Sequence, residues 1–166
     1  MKKAIILLLT ISAVALLGGC NVSTEEKTQQ VEIWSLQDDT IVRVIDDQDE
    51  IVYFTNSIYD NAENWSDLEY TLSNAKPLYC FVYWQEPTRT LFGSRKDMVI
   101  TSQETLYKDN NGNYYLNTEI DKDILPSALY DFLDDIDANS MTEQIPSGTA
   151  RYLIKIAEGA EIHRDH

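Results

Sequence analysis

Acidic side chains dominate the chemistry available to this chain, which has 28 Asp and Glu against 13 Lys and Arg and 2 His. The first dense group of acids stands between two apolar runs and consists of Asp46, Asp47, Asp49 and Glu50. Carboxylate oxygens are the ligands that calcium prefers, although the order of these residues differs from that of an EF-hand loop. We interpret the group as a candidate metal site, and ordinary turn chemistry is the alternative explanation.

A second acidic group lies in a predicted helix and consists of Asp131, Asp134, Asp135 and Asp137, the last three of them near the carboxyl end of that helix. Negative charge at this end of a helix opposes the helix dipole by about 0.3 to 1 kcal/mol for each residue. A cation or a basic partner surface would offset that cost. The group is therefore a candidate face for a cation or a partner, and a solvent-exposed face screened by salt is the alternative.

The sequence contains no recognisable catalytic set. A serine or cysteine nucleophile needs a base within hydrogen-bond reach, and the two histidines, His163 and His166, stand in a polar terminal stretch. Cys80 lies in a run of strand formers, which predicts a buried and unreactive thiol. The sequence has no glycine-rich phosphate loop and no nucleophile elbow, and no two acids stand out as a glycosidase pair. We predict a protein that is not an enzyme and uses no cofactor, with a hydrolase that depends on carboxylates as an alternative.

The elements that would position these residues include two β-hairpins. Residues 39–54 read as the first hairpin, because two runs of strand formers flank the acidic turn. The second hairpin is predicted from the strand-like runs 105–108 and 114–117, which flank the turn-forming residues 109–113. Residues 31–158 are enough for a single domain with a hydrophobic core.

Two amphipathic helices are predicted, one after each hairpin. The first covers residues 60–76, and the second opens at Pro126 with an apolar stripe made of Leu125, Leu129, Phe132, Leu133 and Ile136. Strand-like runs follow at 78–85 and 150–157. The order hairpin, helix, strand thus occurs twice, which indicates either two pseudo-repeated units or a coincidence of common motifs. Both cases give an α+β fold, with the helices on one face of a mainly antiparallel sheet.

The amino terminus has the composition of an export signal. Met1, Lys2 and Lys3 form a short positive segment, and residues 4–17 form an apolar run. This run is shorter than the roughly 20 residues that a helix needs to cross a membrane. We therefore predict a signal peptide over residues 1–19 and not a permanent transmembrane anchor.

The end of this signal resembles the lipobox of bacterial lipoproteins, an aliphatic residue and two small residues before a cysteine, here Leu17, Gly18, Gly19 and Cys20. The resemblance implies cleavage between Gly19 and Cys20 and a diacylglycerol on the Cys20 sulfur. Two or three acyl chains such as palmitate, at about 0.8 kcal/mol for each buried methylene, hold a protein firmly on a membrane. Residues 20–30 then read as the lipidated cysteine and a polar tether, and residues 159–166 as a polar tail.

Charge limits the partners that fit this chain. The formal net charge is −15, and removal of residues 1–19, which contain two lysines and no acids, makes it −17. Such a balance argues against binding nucleic acid. We expect an extracytoplasmic protein held by lipid on the cell membrane, or on the outer membrane if the host has two. Its expected role is a non-catalytic interaction or binding module that docks on an envelope protein, and a small-ligand or divalent-cation sensor is an alternative.

Overall fold

Seven antiparallel strands form a single sheet in the part of the chain that the computed structural model describes, which is residues 29–59, 62, 65–67, 72–86, 98–133 and 141–162. In chain order the strands are β1 (Gln29–Ser35), β2 (Thr40–Ile45), β3 (Ser66–Asp67), β4 (Ala75–Gln85), β5 (Val99–Asp109), β6 (Tyr114–Asn117) and β7 (Thr142–Ile145). Their order across the sheet is β2-β1-β4-β5-β6-β7-β3. The fold is α+β, which confirms the prediction from the sequence.

Two helices cover one face of this sheet. They are α1 (Gln48–Tyr59) and α3 (Ser147–Ala157), and between them in the chain lies the short α2 (Tyr130–Leu133). Every third or fourth residue of α1 and α3 is buried, as expected for helices with one apolar stripe. Their buried residues join those of the strands in the larger core, which includes Val31, Ile33, Phe54, Ile58, Phe81, Leu106, Leu153 and Ile156.

The opposite face of the sheet carries a smaller core. Side chains alternate between the two faces along a strand, so Cys80 and Val82 of β4 point away from the helices while Phe81 points toward them. The segment before α2 covers this second face with Leu125 and Leu129. The predicted strand 78–85 is confirmed within β4, and Cys80 is fully buried and free, as predicted.

The predicted first hairpin, residues 39–54, is wrong. Strand β2 pairs with β1, which precedes it, and the expected second strand of the hairpin is part of α1. The Asp47 side chain accepts a hydrogen bond from the backbone N–H of Glu50 at 2.9 Å, so Asp47 caps the helix. The helical spacing of Ile51, Phe54 and Ile58 buries all three against the sheet, and this tertiary packing outweighs the strand preference of the local sequence.

The predicted first helix, residues 60–76, is also wrong where the structure describes it. Ser66–Asp67 form β3, Leu72–Asn74 form a 3₁₀ turn, and β4 already begins at Ala75. Strand β3 pairs with β7, so this part of the chain is used for sheet formation. The other residues of the predicted helix, apart from residues 62 and 65, lie outside the described part of the chain.

The second half of the chain contains one confirmed hairpin and one wrong strand. Strands β5 and β6 pair over Thr105–Lys108 and Tyr114–Asn117, as predicted, and Gly112 in the turn has a φ of 88°, which glycine adopts readily. The predicted strand 150–157 is part of α3, because its buried residues follow helical spacing. The predicted helix at Pro126 begins as a 3₁₀ turn, Ser127–Leu129, and continues as α2 to Leu133. Neither predicted hairpin-helix-strand unit is formed.

Both ends of the described domain extend slightly beyond the predicted boundaries. Strand β1 begins at Gln29, so it includes two residues that the sequence assigned to the tether. Near the carboxyl end, Ile162 is buried in the larger core although it belongs to the predicted polar tail. Helices α1 and α3, one face of the sheet and Ile162 therefore share the larger core.

Candidate functional site

A buried carboxyl group lies beneath the carboxyl end of α1. Glu104 of β5 is 8% exposed, and its side chain accepts hydrogen bonds from the hydroxyl groups of Tyr59 on α1 and Tyr83 on β4. The Tyr83 bond measures 3.1 Å. We call these three residues the Glu104 cluster. Trp65 borders it, with its ring centre 5.6 Å from that of Tyr59.

The Glu104 cluster retains protons more strongly than the same groups do in water. Burial raises the pKa of Glu104, and the two tyrosine hydrogen bonds offset this only in part. Burial also raises the pKa of Tyr59 and of Tyr83, and the nearby charge of Glu104 adds to the effect. The cluster can therefore hold or release one proton inside the core at the Glu104 carboxyl.

A small cleft lies beside this cluster and shares Tyr83 with it. Its walls come from the start of β1, the middle of α1 and the neighbouring ends of β4 and β5, including Gln29, Val52, Thr55 and Thr101. The cleft has a volume of about 60 Å³. Pockets for drug-sized ligands occupy roughly 300 to 1,000 Å³, so this cleft has room for water molecules and not for such a ligand.

The structure does not bring the predicted metal ligands together. Asp46 and Asp49 are exposed, Asp47 caps α1, and Glu50 lies in the first turn of that helix. Within the described residues, no three His, Cys, Asp or Glu side chains are grouped so that they could hold a metal ion. The candidate metal site is therefore not formed in this part of the chain.

Most of the other predicted site residues lie outside the described part of the chain. Asp131 belongs to α2, while Asp134, Asp135 and Asp137 lie outside the described residues, as do the two histidines, Gly19 and Cys20. Cys80 is placed, and its environment agrees with the prediction of an unreactive thiol. Burial raises the pKa of Cys80 to about 12, so the thiol remains protonated at neutral pH.

A feature that the sequence reasoning missed lies along β2, at the end of the sheet order. Among the strands that the structure describes, β2 pairs with β1 alone, so its other side meets no further strand. Its apolar side chains Ile41, Val42 and Val44 are 43 to 46% exposed. Val42 is the extra residue of a β-bulge, because Arg43 pairs with Ile33 and Ile41 with the next residue of β1. We call the outer side of Thr40–Ile45 the β2 edge.

Acidic residues stand at both ends of the β2 edge. Asp38 and Asp39 precede the strand, Asp46 and Asp47 follow it, and all four are exposed. The cation within the strand is Arg43, whose guanidinium donates to the backbone carbonyls of Ile156, at 2.9 Å, and Ala160. The sequence did predict Thr40–Ile45 as a strand. The sequence did not predict that one side of β2 lacks a neighbour among the described strands, because it indicated pairing with the run after β2, which is part of α1, and not with β1.

Comparison with known proteins adds no family to these observations. No protein-family model matches the chain, and no curated protein or solved structure is significantly similar to it. Within the described residues, none of the helices has the length and apolar character needed to span a membrane.

Proposed function

We propose that this chain is a lipid-anchored extracytoplasmic protein whose domain is a non-catalytic interaction module of the cell envelope. The observation that carries the proposal is the β2 edge, a strand of six residues with three exposed apolar side chains, all of them β-branched. An open strand edge presents backbone N–H and C=O groups that an extended segment of another protein can pair with.

The amino-terminal sequence supports the location. Residues 17–20 resemble a lipobox, and eight residues separate Cys20 from the start of β1 at Gln29. Eight residues span at most about 30 Å. Because Val31 of β1 pairs with Ile45 of β2, one end of the β2 edge lies next to the point where the chain enters the domain. Lipid on Cys20 would therefore present this edge close to the membrane surface.

Lipidation is tested by the intact mass of the mature protein. The expected species begins at Cys20 and carries a diacylglycerol, with or without a third acyl chain, and it sediments with membranes. The Cys20→Ala variant is expected to lose the acyl mass. Recovery of wild-type protein that is cut elsewhere and carries an unmodified Cys20 would contradict the proposed anchor.

The interaction role is tested by site-specific photo-cross-linking in intact cells. A photoreactive amino acid replaces Val42 on the β2 edge or, as a matched control, Val52 on α1, which is similarly exposed at 46%. The expected result is one envelope protein joined reproducibly through position 42 and not through position 52, in the anchored protein. Equal capture from both positions, or no capture at position 42, would overturn the proposal.

A further inference from the structure

The β2 edge has a geometry that selects the conformation of its occupant. Only a segment in extended conformation can pair with the six residues of β2 along their length, which at about 3.3 Å per residue is about 20 Å. A helix cannot pair with this row of backbone groups, because its own N–H and C=O groups are bonded to one another. The occupant is therefore a strand of about six residues.

The exposed side chains of β2 select the composition of that strand. Ile41 and Val44 lie opposite Trp34 and Glu32 of β1, on the sheet face that carries the smaller core. Directly opposed β-branched and apolar side chains stabilise paired strands. An added strand with apolar residues at alternate positions would cover Ile41 and Val44 and extend this apolar surface.

Charge at the two ends of the edge selects the flanks of the occupant. Four acidic residues, Asp38, Asp39, Asp46 and Asp47, bracket the strand, and the whole chain has a formal charge of −15. Arg43 is the cation within the strand, and its guanidinium is hydrogen-bonded to carbonyls at the end of α3. The four acids and the one cation together carry a formal charge of −3. Lys or Arg residues on both sides of the apolar stretch would complement this pattern.

The same charges disfavour a second copy of this chain as the occupant. In an antiparallel pair of β2 strands centred between Val42 and Arg43, Asp39 of one copy faces Asp46 of the other. In a parallel pair in register, each acid faces its own equivalent. Like charges opposed across strands are destabilising, so both arrangements are less favourable than pairing with a basic segment.

We infer that the β2 edge binds an extended segment of a partner protein, about six residues long, apolar at alternate positions and flanked at both ends by Lys or Arg. This inference rests on the proposed interaction function and adds the chemistry of the partner to it. Binding combines backbone pairing along β2 with ionic contacts at its two ends. The ionic part predicts that affinity falls as salt concentration rises.

Three synthetic peptides test the inference against the full-length acylated protein in detergent micelles, by fluorescence anisotropy. The first probe is Lys-Lys-Thr-Val-Thr-Val-Thr-Val-Lys-Lys. The second has the same core with Glu in place of each Lys, and the third has the lysines but Pro in place of the second and third Thr, so that it cannot pair as a strand. The first peptide is expected to bind at least tenfold more tightly than either of the others.

Variants of the protein locate the binding to the edge. Val42→Lys is expected to weaken binding of the first peptide at least tenfold, while Val52→Lys on α1 leaves it unchanged. The double variant Asp39→Asn, Asp46→Asn is expected to weaken binding by roughly two- to tenfold and to reduce its salt dependence, as for two exposed ion pairs. Asn at position 39 retains tolerance of the positive φ of 53° found there.

Four results would overturn the inference. If the proline peptide binds as tightly as the first peptide, the attraction is ionic and does not involve strand pairing. If the glutamate peptide binds as tightly as the first peptide, charge does not select the flanks of the occupant. A partner cross-linked through position 42 in cells would then still support the proposed interaction function. If sedimentation shows a wild-type dimer that Val42→Lys dissociates, the occupant is a second copy. If the first peptide does not bind the wild-type protein and position 42 captures no partner in cells, both proposals are rejected.

Discussion

Glu104 is an acid placed among apolar side chains, and its pKa gives the fold a specific dependence on pH. Burial raises the pKa of Glu104 above its ordinary value of 4.5, so the folded protein binds this proton more strongly than the unfolded chain does. The contribution of the protonated group to stability is complete below pH 4.5 and is lost as the pH rises through the raised pKa. We expect Glu104→Gln, which stays neutral, to become increasingly stable relative to wild type as the pH rises.

The measurement is urea unfolding of both proteins between pH 4.5 and pH 8, compared as free energies of unfolding. Glu161→Gln is the matched control, because Glu161 is exposed. The difference between Glu104→Gln and wild type should grow with pH, whereas the control should follow wild type throughout. A difference that is independent of pH would show that Glu104 does not titrate in the core.

Asp109 has the opposite dependence on pH. Its carboxylate accepts hydrogen bonds from the backbone N–H groups of Asn111 and Asn113, from the Asn113 side chain and from the Tyr115 hydroxyl, at 2.8 to 3.0 Å. Burial acts to raise the pKa of Asp109, but these hydrogen bonds outweigh it and the pKa is lowered. The stabilisation is therefore present above the ordinary pKa of 3.8 and is lost as the pH falls through the lowered value.

Asp109→Asn should consequently reduce the free energy of unfolding at pH 7, because the amide cannot accept all of these hydrogen bonds. The deficit relative to wild type should shrink as the solution is acidified below pH 3.8. The exposed Asp123 provides the control variant Asp123→Asn, for which we expect little change. A deficit that is as large in acid as at pH 7 would show that shape, and not charge, matters at this turn.

The elements were predictable from the sequence where their partners are close in the chain. The hairpin of β5 and β6 was found because its turn residues lie between the two paired runs, and β4 was found from its composition. Helices α1 and α3 were read as strands because they contain many β-branched and aromatic residues. Their helical spacing and the Asp47 cap were present in the sequence, but burial against the sheet decided between the two readings.

The candidate site depends on contacts that no local pattern reveals. Tyr59 and Tyr83 lie 45 and 21 positions before Glu104 in the chain, so the cluster exists only after the sheet and α1 have assembled. The open side of β2 likewise depends on which strand occupies the end of the sheet. The sequence of β2 predicts a strand. Its place at the edge follows from the pairing of β1, which has β2 on one side and β4 on the other.

Truncation of two side chains distinguishes the helix α1 from the strand predicted for the same residues, because the two structures bury different side chains. In a strand, Val52 and Phe54 would share one face, and truncation of either would have a similar effect. In α1, Phe54 is fully buried with its ring centre 5.9 Å from that of Phe81, while Val52 is 46% exposed. We expect Phe54→Ala to reduce the free energy of unfolding by about 3 to 5 kcal/mol and Val52→Ala by less than about 0.5 kcal/mol. Equal losses in thermal or urea unfolding would contradict this arrangement.

In the whole molecule, the proposed anchor and the β2 edge are close in the chain. The domain begins at Gln29, and Val31 already pairs with the last residue of β2, so a lipid on Cys20 would confine the edge to a thin layer above the membrane. Confinement raises the local concentration of the edge for a partner that is also held at that membrane. The short connection would then contribute to binding without making any contact itself.

Confinement of the β2 edge near the membrane predicts an effect of connection length that is separate from anchoring and folding. Twenty Gly and Ser residues inserted after Thr28 add a root-mean-square reach of roughly 25 Å. The inserted protein should remain in the membrane fraction and unfold at the same urea concentration as wild type, yet cross-linking through position 42 should fall several-fold, because the local concentration decreases as the edge explores a larger volume. A helical insertion of equal residue count provides a stiff comparison, which should reduce capture further by holding the edge away from the membrane. Unchanged capture in both variants would show that the partner diffuses freely and that proximity to the membrane does not contribute to its binding.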